Sequence, residues 1–218
     1  FRDMVKSSND YVLVGRSDSS NSGSITSVNN GANDLMLIKV NSSGVKQWDR
    51  LYGGSLDDQA FGIEVVTSGG FIIAGFSASS EGTYIETNLG NEDAWLVKTK
   101  ANGDFLWSKN FGGSEDDRFV SVLNTIDNGF LAAGRTASSI DNNAGLLDLY
   151  LVKTNSDGEL EWEKTIGGTN DDLFTKMIKT SDEGFLAVGY SKSNDGAIGS
   201  NAGDEDAIAF KLDSEGET

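Results

Sequence analysis

The chain has 218 residues, with 34 acidic and 17 basic side chains, and its formal charge of −17 argues against a nucleic-acid partner, whose phosphates would be repelled. Cysteine and histidine are absent, which excludes disulfides, thiolate chemistry and the commonest general base. The sequence contains no run of 18 apolar residues, so we expect no membrane insertion. The negative charge favours solubility and cations.

The same residue types return along the chain at spacings of 55 to 60 residues. The markers are a glycine (Gly15, Gly75, Gly134, Gly189), a lysine (Lys39, Lys98, Lys153, Lys211), a tryptophan (Trp48, Trp107, Trp162) and a diglycine beginning at Gly53, Gly112 and Gly167. Because these independent markers agree, the chain is predicted to be a tandem repeat of four units.

Each unit begins with an apolar strand and a tight turn. The first strands are predicted at Phe1–Ser8, Phe61–Ser68, Phe119–Ile126 and Phe174–Ser181. The turns that follow contain residues, such as Asn128-Gly129, that accept the positive φ of hairpins. A second strand runs to the repeated glycine, which we interpret as a point where a neighbouring backbone approaches closely, as in a sheet packed on another sheet.

Long polar loops separate the second strand from the third. They cover Ser17 to Asn33, Ser77 to Glu92, Thr136 to Leu147 and Ser191 to Glu205, and they differ in length and content. Variable loops on a constant scaffold are typical of binding surfaces. The third strands begin at Asp34, Asp93, Asp148 and Asp206 and are apolar on both faces, which predicts burial from both sides. A turn and a tryptophan-bearing outer strand complete the unit.

Four antiparallel strands per unit, ordered from inner to outer, predict an all-β fold of the β-propeller type. The predicted blades are residues 1–60, 61–118, 119–173 and 174–218, and the last lacks its outer strand. They would form one domain or a window on a larger propeller, with further blades supplied by flanking sequence or another chain. Because the sequence opens within the repeat pattern, we expect a processed or trimmed chain.

The segment from Lys153 to Trp162 resembles the tryptophan-docking segment of quinoprotein-type propeller blades, in which a tryptophan four residues after a turn glycine wedges against the next blade. The turn is one residue shorter here. The whole unit is similar to the tandem repeats of large secreted proteins of Bacteroidota-like bacteria, many with a type IX sorting domain. The matching residues are Gly112-Gly113-Ser114-Glu115-Asp116-Asp117, Gly129-Phe130, Gly134, Asp148, Lys153, Gly158 and Trp162. The resemblance implies a secreted or cell-surface location and an interaction or adhesion role, and it transfers no catalytic residue.

The strand order predicts an acidic face that collects the long loops and the paired aspartates. Oxygen ligands in glycine-rich loops could bind Ca²⁺, and the candidate ligands are Asp57, Asp58, Asp116, Asp117, Asp171, Asp172, Asp195 and Asp204. Alternatively, such aspartates cap backbone N–H groups and tighten turns. Recurrence in successive units favours capping for at least one aspartate of each pair. The segment from Asn194 to Asp204 is the best single candidate for a calcium loop.

We expect a non-catalytic binding or adhesion module that engages a protein or a glycan through these loops. The candidate binding residues are Ser77, Glu81, Tyr84, Glu86, Arg16, Arg135 and Asp195. One alternative is a sialidase-like, glycan-processing enzyme that uses Arg16, Arg135 and carboxylates, although arginines among so many acids are most simply ion-pair partners. Another alternative is a structural spacer within a large surface protein.

Overall fold

The computed structural model describes residues 1–19, 23–141, 146–199 and 201–217. Parts of three predicted loops (residues 20–22, 142–145 and 200) and residue 218 lie outside the described residues. Within these ranges the regular secondary structure consists of strands, and no helix there could span a membrane.

The strands form four antiparallel sheets in chain order, which confirms the all-β prediction and its strand order. Sheet 1 contains β1 (Asp3–Ser7), β2 (Asp10–Ser17), β3 (Asp34–Val40) and β4 (Lys46–Tyr52). Sheet 2 contains β5 (Asp58–Val65), β6 (Phe71–Ser77), β7 (Asp93–Thr99) and β8 (Phe105–Phe111). Sheet 3 contains β9 (Asp117–Asn124), β10 (Phe130–Thr136), β11 (Asp148–Thr154) and β12 (Leu160–Ile166). Sheet 4 contains β13 (Asp172–Lys179), β14 (Phe185–Ser191) and β15 (Asp206–Leu212), without a fourth strand in the described residues.

Successive sheets pack face to face through apolar layers. Val14 and Leu37 of sheet 1 meet Ile73 and Trp95 of sheet 2, and similar layers join sheets 2 and 3 and sheets 3 and 4. Each fully buried aliphatic or aromatic side chain contributes roughly 1.5–3 kcal/mol to stability. The third strands of sheets 1 to 3 are buried on both faces, as their composition predicts. In β15 the burial alternates, because sheet 3 covers one face of sheet 4 and no sheet in the described ranges covers the other.

The strand glycines correct one part of our interpretation. A Cβ on Gly75 would collide with the carbonyl oxygen of Gln59, which lies on the paired strand of the same sheet. The register of that pair shifts between Ala60 and Gly62, so the close approach belongs to a β-bulge within the sheet. Gly134 and Gly189 meet the same arrangement in sheets 3 and 4. The glycine therefore accommodates the bulge, and the neighbouring sheet plays no part in the contact.

The first strands of sheets 2 to 4 begin earlier than predicted, at the second aspartate of each pair. The reason is a bond to the preceding sheet's long loop: the N–H of Asp58 donates to the carbonyl of Asn33 at 2.8 Å. Asp117 and Asp172 make the same bond to the last residue of the preceding loop. This bond extends the strand, and it ties each sheet to its predecessor.

The tryptophans of the outer strands pack against the turn glycine of the next sheet. A Cβ on Gly103 would lie 2.9 Å from Trp48, and a Cβ on Gly158 would lie 2.9 Å from Trp107. Trp162 lies against Gly216 in the same way. All three tryptophans are half-buried in these contacts. They serve as wedges between sheets, as the sequence indicates.

Candidate binding surface at the loop end

The antiparallel strand order divides each sheet into two ends. One end, called the loop end, carries the long loop between the second and third strands and the diglycine connection to the next sheet. The other end, called the turn end, carries the tight hairpins. The aspartate pairs therefore share an end with the variable loops, as predicted.

A buried carboxylate organises the loop end of each sheet junction. In sheet 2, Asp58 Oδ2 accepts a hydrogen bond from the N–H of Gly54 at 2.7 Å and one from Ser79 Oγ at 2.9 Å. Ser79 Oγ in turn accepts the N–H of Leu56 at 2.9 Å. The same three bonds recur around Asp117 (Gly113, Ser138, Glu115) and around Asp172 (Gly168, Ser193, Asn170), at 2.7–3.0 Å. The carboxylate thus fixes both the diglycine turn and the first residues of the long loop.

A second buried carboxylate faces the first across each junction. A Cβ on Gly53 would lie 2.5 Å from Asp34 Oδ1 and 2.7 Å from Asp58 Oδ2, so only a glycine fits between the two carboxyl groups. Both aspartates are fully buried. Asp34 Oδ2 accepts from Asn30, whereas Asp34 Oδ1 has no hydrogen-bond partner in the described residues. Asp93 repeats this arrangement opposite Asp117.

The pKa of Asp34 rises to about 6 because burial disfavours its charge, an effect that the Asn30 N–H opposes and the neighbouring Asp58 charge reinforces. Burial also raises the pKa of Asp58, although bonds from Ser77 and Gly54 oppose this effect. Asp58 therefore has the hydrogen bonds that suit a carboxylate, while Asp34 has a free oxygen that suits a proton. At pH values below about 6 Asp34 therefore holds the proton, and the repulsion between the two buried groups is relieved.

These contacts give several of the calcium candidates other roles. Asp58, Asp117 and Asp172 are buried and already occupied as caps. Among their neighbours, Asp57 accepts from Gln59, Asp171 pairs with Lys192, and the carbonyl of Asp116 accepts from Ala137. Asp195 caps the N–H of Thr169 at 2.8 Å, and Asp204 is exposed. The described residues contain no group of three or more acidic side chains close enough to hold a metal.

Ser77 must also be removed from the candidate binding residues. It is fully buried, and its hydroxyl donates to Asp58 Oδ1. Thr136 occupies the same position in sheet 3 and donates to Asp117. A hydroxyl at this point completes the carboxylate cap, so Ser77 belongs to the framework that holds the loop.

Three other candidates belong to the long loop of sheet 2. Glu81 is exposed, whereas Tyr84 is half-buried edge-on against Tyr52, with ring centroids 5.1 Å apart. Glu86 is exposed and pairs with Lys109 at 3.1 Å. Tyr84 and Glu86 line an open groove of about 350 Å³ together with Trp107. This groove offers an aromatic wall and charged side chains on the outer part of the sheet.

The arginines are distributed over different sheets. Arg16 lies exposed at the end of β2 in sheet 1, and Arg135 lies half-buried at the end of β10 in sheet 3. Arg118 is the direct register partner of Arg135. Its guanidinium lies 4.5 Å from the centre of the Phe76 ring and pairs with Glu92. The remaining candidates therefore lie apart: Tyr84 and Glu86 line the groove, Glu81 lies elsewhere in the same loop, and Arg16, Arg135 and Asp195 belong to sheets 1, 3 and 4.

Two kinds of anchoring residue were missed at the sequence level. The facing aspartates appear in the sequence only as the recurrent first residue of the third strands, and that recurrence was the available signal. Asp49 is a buried residue of β4 that accepts N–H bonds from Thr26 and Ser27 and so anchors the loop of sheet 1. Although burial alone would raise the pKa of Asp49, bonds from Lys46 and Thr26 hold it below its usual range. No repeat marker identifies this residue.

No protein-family model matches the chain, and no curated protein matches it. Among solved structures, it is similar to a protein of unknown function from Bacteroides caccae, at 11% identity. The match covers 85% of this chain and 74% of that one, with a TM-score of 0.33. A likeness at this level carries no argument about fold or function.

Proposed function

We propose that this chain is a propeller-type, non-catalytic binding module that engages a protein or a glycan through its loop end. Two contacts support a propeller arrangement of the sheets. The first strand of each sheet packs on the first strand of the next, from β1 through β13. Asp3 of β1 and Lys176 of β13 form an ion pair at 3.4 Å, so the row of sheets curves until its first and last inner strands come within reach of each other.

The observation that carries the binding function is the contrast between framework and loops at one end of the molecule. Ser79, Ser138 and Ser193 are buried and make the same bonds in three sheets. Directly beyond Ser79, the loop exposes Glu81, Thr83 and Glu86. Because a fixed base presents side chains that differ from sheet to sheet, the loop end suits recognition of one partner along a rigid surface.

The broader setting of this module follows from the sequence resemblance. We place it in a secreted or cell-surface bacterial protein with an interaction or adhesion role. Further blades from flanking sequence or from another chain would complete sheet 4 and cover its open face. Exposed apolar side chains on that sheet, such as Ile178 and Val188, agree with this arrangement.

The proposal is tested by altering the exposed loop residues while the framework is kept. The wild-type chain and a triple variant, Glu81→Ala with Thr83→Ala and Glu86→Ala, are compared on a glycan array and on a panel of extracellular proteins. A matched triple variant at the turn end, Thr67→Ala with Ser68→Ala and Lys100→Ala, changes exposed side chains of the same sheet. We expect ligand binding that falls about tenfold or more in the loop-end variant and stays unchanged in the turn-end variant.

Turnover separates this function from the enzymatic alternative. Fluorogenic glycosides are incubated with the wild-type chain and with Arg135→Ala. Hydrolysis by the wild type that disappears in the variant would establish a glycan-processing enzyme and overturn the proposal. Equal binding by both triple variants would also overturn it, because the loop end would then play no part.

A further inference from the structure

Two arginines face each other across the inner strands of sheet 3, at the loop end. Arg118 of β9 and Arg135 of β10 are paired in register. Side chains in such positions have Cβ atoms about 4.5–5.5 Å apart, and like charges there destabilise a sheet. Negative partners would offset the repulsion in a pair of this kind.

The two arginines differ in their partners among the described residues. Arg118 pairs with Glu92 of the preceding loop and lies over Phe76. Arg135 is half-buried, yet it makes no hydrogen bond or ion pair within the part of the chain that the structure describes. A guanidinium carries five N–H donors in a rigid fork, and none of the Arg135 nitrogens is among the described buried atoms that lack a partner, so they stay accessible to an acceptor from a ligand.

The charges around Arg135 agree with a site that lacks a negative ligand. Burial lowers the pKa of Arg135, and the positive charge of Arg118 lowers it further, although Glu92 and Asp116 act in the opposite direction. The guanidinium nevertheless remains protonated at any physiological pH. A single additional negative charge beside Arg135 would offset both the lost hydration of its guanidinium and the repulsion by Arg118.

We propose that Arg118 and Arg135 form a subsite that binds one carboxylate group of the ligand. This inference rests on the binding function proposed above and names a chemical group that the loop end recognises. A carboxylate fits the arginine fork with two parallel hydrogen bonds. Glu92 and Asp116 already supply negative charge nearby, and the chain carries −17 overall. These charges favour a singly charged carboxylate over phosphate or a polyanion.

Such a group occurs in an acidic sugar and at a peptide C-terminus, so the test uses both as probes. Sodium glucuronate and N-acetylglycine are titrated at constant ionic strength against the ¹⁵N-labelled chain, with methyl glucoside and N-acetylglycinamide as neutral counterparts. The arginine Nε–Hε signals report the site directly. We expect saturable shifts of the Arg118 and Arg135 signals with at least one acid and none with the neutral molecules.

Arg135→Gln and Arg16→Gln form a matched pair of variants. Both arginines follow the strand glycine of their sheet, and both changes remove one positive charge, but Arg16 is exposed and belongs to sheet 1. Probe affinity should fall about tenfold in Arg135→Gln, as expected for a charge-assisted bond, and stay unchanged in Arg16→Gln. Equal affinity in the two variants would overturn the subsite.

A third variant covers the case in which Arg135→Gln does not fold. Glu92→Gln removes the acid that occupies Arg118, so the probe should bind more tightly, whereas a purely structural arginine pair would give no such gain. Unchanged affinity in Glu92→Gln contradicts the inference. If the glycan array or protein panel gives a loop-dependent ligand while no acidic probe binds, the subsite is wrong and the proposed function stands. If neither the array and panel nor the acidic probes show binding, the subsite and the proposed function are both wrong.

Discussion

At the scale of single residues, the facing carboxylates dominate the loop end. Asp34 and Asp58 are both fully buried on either side of Gly53. Two full negative charges in such a place repel each other and lose their hydration, so one group takes up a proton at a higher pH than an ordinary aspartate does. The pKa of Asp34, raised to about 6 by burial and by the Asp58 charge, identifies Asp34 as the proton carrier.

This raised pKa makes stability depend on pH in a defined direction. The ordinary pKa of an aspartate, 3.8, applies to the unfolded chain. The folded state therefore binds the extra proton more tightly between pH 3.8 and about 6, and the stabilisation it gives at low pH is lost as the pH rises through 6. Asp127 acts in a different window: burial raises its pKa, but the bond from Lys153 prevails and holds it at about 2, so its contribution is lost only as the pH falls below the ordinary value.

Asp34→Asn should therefore stabilise the protein at pH 7.5. The new amide carries no charge, so the change removes a buried charge and its repulsion by Asp58, and we expect a gain of roughly 1–2 kcal/mol in the free energy of unfolding. The thermal midpoint would rise by roughly 3–6 °C, and the gain should shrink at pH 5. Asp206→Asn is the matched control: Asp206 holds the same repeat position, is half-exposed and has no following sheet in the described residues. Equal shifts at the two pH values in both variants would contradict a raised pKa of Asp34.

At the scale of elements, the contact between tryptophan and turn glycine links one sheet to the next. Gly44 and Gly103 close the same kind of hairpin turn and have nearly the same φ, +78° and +80°. A Cβ on Gly44 would meet open space, whereas a Cβ on Gly103 would press on Trp48. A comparison of the same substitution at the two glycines therefore distinguishes the cost of backbone strain from the cost of disturbed packing between sheets.

We predict that Gly103→Ala destabilises the protein more than Gly44→Ala. Each change forces an alanine into left-handed backbone, at about 1–2 kcal/mol. Gly103→Ala additionally displaces Trp48, and overpacking of this kind costs roughly 1–3 kcal/mol. Chemical denaturation of both variants measures the difference. Equal free energies of unfolding would mean that Trp48 yields without cost and is not a wedge.

At the scale of the whole molecule, the question is how far the row of four sheets curves. The apolar layers join each sheet to the next, and the Asp3–Lys176 ion pair joins the first sheet to the last. Both partners of this pair are partly exposed, so the pair itself adds little to stability. The pair is informative about geometry, because it shows that β1 and β13 lie close to each other.

A double variant, Asp3→Cys with Lys176→Cys, tests the curvature through cross-linking. The native chain lacks cysteine, so a short bis-maleimide can react only at the introduced sites. We expect an intramolecular link in dilute protein, detected by mass spectrometry after digestion. Ser43→Cys with Lys176→Cys serves as control, since Ser43 lies on the outer hairpin turn of sheet 1. Failure to link Cys at positions 3 and 176 would contradict a ring-like arrangement.

The sequence by itself determined the repeat, the strand order and the ends at which loops and turns lie. These features depend on local chemistry: alternating apolar residues, turn glycines and spacing recur within each unit, so they can be read without knowing what packs on what. The sequence also indicated that Trp48 and its equivalents are wedges. It placed Ser77 among the binding residues, because a loop serine and a buried cap look alike in one dimension.

Only the tertiary structure decided how neighbouring units interact. Asp34 and Asp58 lie in different sheets, and their facing geometry depends on the apolar layer that brings the sheets together. The pairing of Arg118 with Arg135 depends on the register after a β-bulge, and a shift of one residue would have turned one arginine to the opposite face. The charge state of a buried aspartate and the neighbours of an arginine depend on how the sheets pack, so they are defined only in the folded chain.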